Sequence, residues 1–372
     1  MPRPEAHILF VTGGTGGHIY PMLSVLDAVK EADGQVRCSY VGTKADLEAP
    51  GIRERRDLET HAIHAGKLHR YWTTKQIGEF ARLGRGFIEA QTLVSRLRPG
   101  AVFAKGSAVS VPVVLAAARL GIPIYSHETD VRSGLANRFA ARFAKTVFTA
   151  YPTENYPDID QAKLRYVGQP VRREFYEAST GELSADGRQV DQKLPLITVI
   201  GGSQGARGLN ALVSERWEAY LNMAQLLHIC GPSELERLRE LSRHLPENCL
   251  GRLFLTAYQQ DGLPDAFQRS RVVVNRAGGT IAELAASGSA CVLVPLPSAA
   301  QDHQRANAAV LQTVGAAVVV QEGQGAEALY EAVKNLYDDT AANQRLRQVI
   351  RQFARPRAAA DIAEALLRCV HE

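Results

Sequence analysis

The sequence predicts an α/β protein built from two doubly wound, Rossmann-like domains in tandem, facing each other across a cleft. Three observations carry this. Short β-branched runs alternate with longer helical patterns, the arrangement of parallel α/β units. The segment ILFVTGGTGG at residues 8–17 is echoed by LITVIGGSQG at residues 196–205, and each reads as an apolar strand, a glycine-rich turn and a helical pattern. The length of 372 residues suits two domains of ordinary size. Open α/β sheets bind ligands beyond the carboxyl ends of their strands, so two such domains can share one site.

In chain order, the strands expected in the first half are residues 7–12, 36–41, 101–104, 123–126 and 146–149. Those expected in the second half are 196–200, 225–229, 252–255, 272–275, 290–294 and 316–320. The stretch from Tyr176 to Pro195 is polar and reads as a linker. The expected organisation is therefore an N-terminal domain at 1–175, a linker at 176–194, a C-terminal domain at 195–340, and a helical segment at 341–372 that packs back towards the N-terminal domain.

Composition narrows the function. Hydrophobic residues make up 45% and charged residues 22%, ordinary for a globular chain. A net charge of +4 is too small to argue for nucleic acid. The five cysteines are scattered without a CxxC pair, so free thiols and no zinc site are expected. The start shows no secretion signal. The longest apolar run, residues 108–118, is about half of what a membrane-spanning helix needs. A soluble or membrane-surface protein follows.

Four glycine- or polar-rich turns carry the chemistry. The first is Gly13-Gly14-Thr15-Gly16-Gly17-His18. Glycines let the backbone approach a ligand closely, and a helix N-terminus favours negative charge. The spacing is neither GxGxxG nor a Walker motif, which argues against a nicotinamide cofactor or ATP. The second is Gly201-Gly202-Ser203-Gln204-Gly205-Ala206-Arg207, whose hydroxyl and free amides suit a phosphate or simply cap a helix. The third is Asn275-Arg276-Ala277-Gly278-Gly279-Thr280-Ile281-Ala282-Glu283. Its amides can hold phosphate, and Glu283 can either accept from a ribose diol or favour the helix start. The fourth is Gln301-Asp302-His303-Gln304-Arg305-Ala306-Asn307, a dense polar set suited to sugar hydroxyls or to an exposed loop. His18 and the His127-Glu128 pair are the titratable candidates for general-base work. Asp158-Ile159-Asp160 has the look of a metal-binding pair but lies in a Pro/Tyr-rich stretch and reads as a solvated loop.

Taken in order, these segments resemble the MurG transferase family. The matching stretches are GGTGGHIYP, the HE pair with GLANRFAARFA downstream, VGQPVRREF, GGSQGARGLN, RAGGTIAEL and DHQRANA, spread over residues 8 to about 320. The resemblance implies the glycosyltransferase B fold and inverting, metal-independent transfer of N-acetylglucosamine. The donor is UDP-N-acetylglucosamine and the acceptor is the 4-hydroxyl of the muramyl sugar of lipid I; the product is lipid II for peptidoglycan. It implies that Thr15, Gly16 and Gly17 lie near the transferred sugar and the acceptor pyrophosphate. Arg172, Ser203 and the amides of Gly278, Gly279 and Thr280 would hold UDP, and Glu283 the ribose. His303 and Gln304 would meet the sugar hydroxyls, with Asp130, Gln259, Arg276 and Ala277 completing the substrate contacts. His18 is the candidate base, with Glu128 or Asp130 as alternatives. No metal and no cofactor are implied.

The sequence departs from the family pattern in three places. Thr129-Asp130 follows His127-Glu128 where Gln-Asn is usual, which adds a carboxylate beside an anionic acceptor. Lys105-Gly106-Ser107-Ala108-Val109-Ser110 stands where Gly-Gly-Tyr-Val-Ser is usual, and the turn from Arg276 to Glu283 is one residue shorter. The competing readings are a lipid glycosyltransferase with another acceptor, a UDP-N-acetylglucosamine 2-epimerase, or an inactive nucleotide-sugar-binding scaffold.

A last stretch bears on location. Residues 64–87 interleave Lys67, Arg70, Lys75, Arg82 and Arg85 with Tyr71, Trp72, Phe80 and Phe87, against the single acid Glu79. Such a mixture suits an anionic membrane surface, or else a helix burying Phe80 and Leu83. The expected location is peripheral, at the cytoplasmic face of the cell membrane, with other cell-wall synthesis proteins as further partners and no nucleic acid.

Overall fold

In the computed structural model, residues 6–14, 16–66, 75–178, 182–202, 205–259, 262–299 and 302–372 are described, with 75–81 and 83 described for the backbone alone. The chain divides into two compact units, Met1–Val171 with Arg357–Glu372, and Arg172–Pro356.

The first unit holds the strands β1 His7–Val11, β2 Arg37–Gly42, β3 Glu59–Ala62, β4 Ala101–Ala104, β5 Ile124–Glu128, β6 Thr146–Thr149 and β7 Leu164–Tyr166. They form one parallel sheet in the order β3-β2-β1-β4-β5-β6-β7. A parallel sheet is covered on both faces, so its strands are apolar runs rather than alternating ones. β1 fits that rule, with HILFV buried at every position. The helices are α1 Gly16–Ala32, α2 Lys44–Leu47, α3 Pro50–Arg53, α4 Lys75–Leu97, α5 Ser110–Arg119 and α6 Leu135–Phe143.

The second unit holds β8 Ser184–Ala185, β9 Arg188–Gln189, β10 Leu196–Ile200, β11 Gln225–Ile229, β12 Leu253–Thr256, β13 Ser270–Asn275, β14 Cys291–Leu293 and β15 Val318–Val319. Its parallel sheet runs β12-β11-β10-β13-β14-β15. Its helices are α7 Arg207–Ser214, α8 Trp217–Met223, α9 Leu235–Ser242, α10 Glu247–Leu250, α11 Leu263–Arg269, α12 Thr280–Ser287, α13 His303–Thr313, α14 Gly325–Asp338 and α15 Thr340–Ile350. The last helix, α16 Ala358–His371, belongs to the first unit and packs on α1. Its Ile362, Ala363 and Leu366 join Ile8, Phe10, Met22 and Phe103 in one buried cluster. Truncating Ile362 or Leu366 to alanine costs about 2–5 kcal/mol, so α16 is part of that unit's core.

The two sheets repeat one winding. The leading strand, β1 or β10, sits centrally, with the second strand on one side and the fourth on the other. That is the doubly wound order, and its reversal point between the first and fourth strands is where ligands bind.

Two strands escape a reading of apolar runs. β3 (ETHA) is partly to fully exposed, and β7 has three residues and no buried position. Both sit at the sheet edges, where apolar character is not required. The polar stretch read as a linker also contains structure. β8 and β9 form a hairpin, with Asp186 and Gly187 at positive φ (52° and 70°). An Asp-Gly pair is the usual chemistry of that two-residue turn. Leu183, Ala185 and Val190 are buried, and the Arg188 guanidinium lies 4.6 Å over the Phe254 ring.

Candidate functional site

In the first unit the polar groups gather at the ends of β1, β4 and β5. The turn after β1 is held by Asp46, the acid of a capping box on α2. Its Oδ1 accepts from the Gly14 amide at 2.7 Å, and its Oδ2 accepts from the Thr43 amide and hydroxyl, each at 2.7 Å. A Cβ on Gly13 would lie 2.5 Å from Asp46 Oδ2, so only glycine fits. Thr15 lies outside the described residues. Gly16, Gly17 and His18 form the first turn of α1.

The loop after β4 comes up against His18. A Cβ on Gly106 would be 3.3 Å from His18 Cε1 and 3.5 Å from Asn137 Nδ2. Ser107 adopts φ 71°, strained for a residue with a side chain, and its buried hydroxyl has no hydrogen-bond partner among the described residues.

The end of β5 is more crowded. His127 Nε2 donates to the Gly168 carbonyl at 2.9 Å, which leaves Nδ1 as an acceptor for Lys105 Nζ at 2.9 Å. Burial, then the neighbouring Lys105, hold the His127 pKa well below the usual histidine value, so the ring stays neutral. Glu128 spends both oxygens on the next loop. Oε1 accepts from the amides of Thr129 (2.8 Å) and Asp130 (3.0 Å). Oε2 accepts from the Gly134 amide (3.0 Å) and Asn137 Nδ2 (2.9 Å). Burial, then Asp130, push its pKa up to about 7 against those hydrogen bonds. The geometry makes Glu128 the organiser of the 129–134 loop, which carries Asp130.

In the second unit the turn after β10 is tightly packed. A Cβ on Gly201 would lie 2.7 Å from the Ala206 nitrogen, and one on Gly205 would overlap the Cys230 carbonyl. Ser203 and Gln204 lie outside the described residues. A buried relay supports the turn from below. Trp217 Nε1 donates to His228 Nδ1 (3.2 Å), His228 Nε2 to Asn210 Oδ1 (3.0 Å), and Asn210 Nδ2 to the Cys230 carbonyl (2.8 Å). Burial drives the His228 pKa down to about 3, so this ring too is neutral.

The turn between β13 and α12 is stitched to α13. Arg276 Nη1 donates to the Val294 carbonyl at 2.9 Å, and Nη2 pairs with Glu322 at 2.5 Å. These guanidinium donors act as an internal clamp. Asn307 Nδ2 donates to the Ala277 carbonyl (3.0 Å), and Gln304 Oε1 accepts from the Leu296 amide (2.9 Å). A Cβ on Gly278 would be 4.0 Å from Gln304 Nε2, so motifs three and four meet. His303 opens α13, after Asp302 at φ 58°. Gly279 and Thr280 start α12, with Glu283 in its first turn. Burial raises the Glu283 pKa to about 7 against the Arg172 charge. Arg172 itself stacks over Phe175, 5.1 Å from the ring centre. Gln259 sits apart in sequence, after β12, and its Nε2 donates to the Ser184 carbonyl of the hairpin at 3.0 Å.

Lys105, Ser107, Asn137 and Asp46 carried no expected role from the sequence, and Asn275 figured only as the first residue of the third turn. Asn275 ends β13 with 1% exposure, and neither polar atom of its side chain has a hydrogen-bond partner among the described residues. An amide at the end of the apolar run 272–274 is the one signal the sequence offers for it. Asp158 pairs with Arg138 at 3.3 Å and Asp160 accepts from the Ala162 amide, so both serve local structure. Among the described residues no group of three or more His, Cys, Asp or Glu could hold a metal ion. Gln301 lies outside the described residues.

Residues 8–149 match the glycosyltransferase family 28 N-terminal domain, and residues 196–363 match the family 28 C-terminal domain. A Treponema pallidum protein named UDP-N-acetylglucosamine--N-acetylmuramyl-(pentapeptide) pyrophosphoryl-undecaprenol N-acetylglucosamine transferase is 32% identical over 371 residues, 98% of this chain and 96% of that protein. Among solved structures, Acinetobacter baumannii MurG superposes with a TM-score of 0.70 at 24% identity, over 98% of this chain and 99% of that one. A putative UDP-N-acetylglucosamine 2-epimerase from Listeria monocytogenes shares the fold at a TM-score of 0.69 and 14% identity, over 98% and 96% of the two chains.

Proposed function

The chain belongs to glycosyltransferase family 28, among its N-acetylglucosaminyltransferases, and from this premise we propose the reaction and its division between the units. N-acetylglucosamine passes from UDP-N-acetylglucosamine to the muramyl sugar of a pyrophosphoryl-undecaprenol acceptor, lipid I. The observation that carries this reading is the pair of glycine turns at the ends of β1 and β10, each at the reversal point of a doubly wound sheet. The second unit takes the donor. Amides at Gly278–Thr280 meet the diphosphate and ionised Glu283 accepts from the ribose. Arg172 and Ser203 contribute to UDP, while His303, Gln304 and Gln259 face the sugar. Arg276 and Ala277 hold that turn in shape.

The first unit takes the acceptor. His18 removes the proton from the acceptor hydroxyl as its oxygen bonds to the anomeric carbon with inversion, and the carbon's bond to the diphosphate breaks so that UDP leaves. Thr15, Gly16, Gly17 and Asp130 line the acceptor side. Helix N-termini and arginine stabilise the departing diphosphate, so no magnesium is required.

We place the protein peripherally at the cytoplasmic face of the membrane. Arg82 and Arg85 are exposed on α4, Ile88 on the same helix is 68% exposed, and Leu135 at the start of α6 is 71% exposed. Exposed apolar groups beside cations suit a headgroup layer. Lys67, Arg70, Tyr71 and Trp72 lie outside the described residues, as do the side chains of Lys75, Glu79, Phe80 and Leu83. Among the described residues no helix is long and apolar enough to cross a membrane.

The test is product analysis with purified chain, UDP-N-acetylglucosamine and lipid I, without magnesium. UDP release that depends on lipid I, with one N-acetylhexosamine added to the acceptor, supports the reading. UDP-N-acetylmannosamine formed without acceptor would identify an epimerase instead, and UDP binding without turnover would identify a scaffold.

A further inference from the structure

The first unit contains a buried cation that the reaction above does not use. Lys105 follows β4 and is the only lysine with a buried side chain among the described residues, at 0% exposure. A buried ammonium is costly unless its protons find acceptors. Lys105 has two, His127 Nδ1 at 2.9 Å and Thr129 Oγ1 at 2.8 Å. The first is prepared for it, because His127 gives its only ring proton to the Gly168 carbonyl. The Lys105 main chain is also pinned to β1: its amide donates to the Val11 carbonyl, and its carbonyl accepts from Thr12 Oγ1 at 2.8 Å.

The charges around it are not neutral. Burial pushes the Lys105 pKa down to about 7, while Glu128 and Asp130 act to keep it charged. Glu128 ends β5, and Asp130 belongs to the loop that follows it. The Asp130 amide is held by Glu128, and its carbonyl accepts from the Tyr156 hydroxyl at 3.0 Å. Lys105 and Thr129-Asp130 are two of the three places where the sequence departs from its family pattern. The fold joins them: the lysine bonds the threonine and answers the charge of the aspartate.

We propose that Lys105 is a positioning residue of the acceptor half-site, fixing the Thr129-Asp130 loop and offsetting the Asp130 carboxylate so that a diphosphate-bearing acceptor can approach it. This rests on the acceptor reading given above. Without the ammonium, the loop loses the hydrogen bond to Thr129, and the positive charge that Lys105 sets against Asp130 is gone.

The experiment is a double-mutant cycle on the full chain with Lys105→Met, Asp130→Asn and the pair, read as KM for a water-soluble lipid I analogue that keeps the diphosphate, KM for the donor, and thermal stability. Lys105→Met should raise acceptor KM about tenfold or more, with donor KM held within about twofold. Adding Asp130→Asn should bring acceptor KM back to within about threefold of the parent. A lysine that serves stability alone would lower the melting temperature and show no such rescue. Unchanged acceptor KM in Lys105→Met, or a double variant as impaired as the single one, overturns the proposal. If Lys105→Met does not fold, Asp130→Asn alone decides. It should lower acceptor KM, and an unchanged or higher value counts against the inference. If the unaltered chain binds UDP but never turns over the acceptor, the acceptor reading fails and takes this inference with it. Active variants that cannot be told apart sink the inference alone.

Discussion

The first unit surrounds its strand ends with buried ionisable side chains, Lys105, His127 and Glu128, each tied to another by a hydrogen bond or a charge. The second unit uses the same winding but supports its turns with neutral or already paired groups. There His228 and Asn210 form a closed relay under Gly205, and Arg276 is matched by Glu322. Glu283 is the exception, a partly exposed carboxyl that burial holds near neutrality. One topology thus carries two kinds of site. A rigid frame of amides suits a nucleotide diphosphate that arrives in one pose. A charged, hydrogen-bonded loop suits a step in which a proton leaves and an anionic acceptor must be tolerated.

The sharpest way to break this contrast is at His18. His18→Ala should lower kcat by about 10²–10⁴-fold if the imidazole is the general base, measured at saturating donor. A near-parental rate would move the role to Asp130. Next in size is Glu128. Glu128→Ala strands three backbone amides and Asn137, and chemical denaturation should show a loss of about 3 kcal/mol or more. A stability change under about 0.5 kcal/mol would mean that the loop does not depend on this carboxylate.

Glu283 gives a pH signature for the second unit. Its folded pKa is raised from 4.5 to about 7, so its contribution to stability is full below 4.5 and is lost as pH rises through about 7. Glu283→Gln should therefore gain in melting temperature relative to the parent between pH 5 and pH 8. If Glu283 accepts from the ribose as proposed, UDP affinity of the parent should rise over the same range as its carboxyl ionises, by about tenfold at most; calorimetry on the variant should show a flat profile. The smallest effect concerns the membrane. Binding to anionic vesicles should weaken with salt and fall when Lys67, Arg70 and Trp72 are replaced, while UDP binding persists. Equal binding to neutral and anionic vesicles would favour a helix that merely packs on the core.

Strands such as β1 and β10 were legible because a sheet covered on both faces demands unbroken apolar runs. The glycine turns were legible because close packing, against the Asp46 carboxylate at Gly13 and against backbone at Gly201 and Gly205, excludes a side chain. Edge strands β3 and β7 carry neither signal. The hairpin at β8 and β9 did announce itself through Asp186-Gly187, but two residues per strand leave no periodicity to read. Lys105 was hidden for a different reason. Its partners His127 and Thr129 lie 22 and 24 residues away and meet it only because β4 and β5 pair in parallel. Glu128 stood as an alternative base because it is titratable and lies in a segment shared with the family; four donors converging on its carboxylate are visible only in three dimensions.

The division between the units is tested most directly by UDP calorimetry on two variants side by side, without magnesium. His18→Ala should bind UDP with parental affinity, and Glu283→Ala should bind it about tenfold more weakly or worse, the size expected for hydrogen bonds lost to a charged group. Equal weakening in both variants, or weakening in His18→Ala alone, would contradict the assignment of acceptor chemistry to the first unit and nucleotide binding to the second.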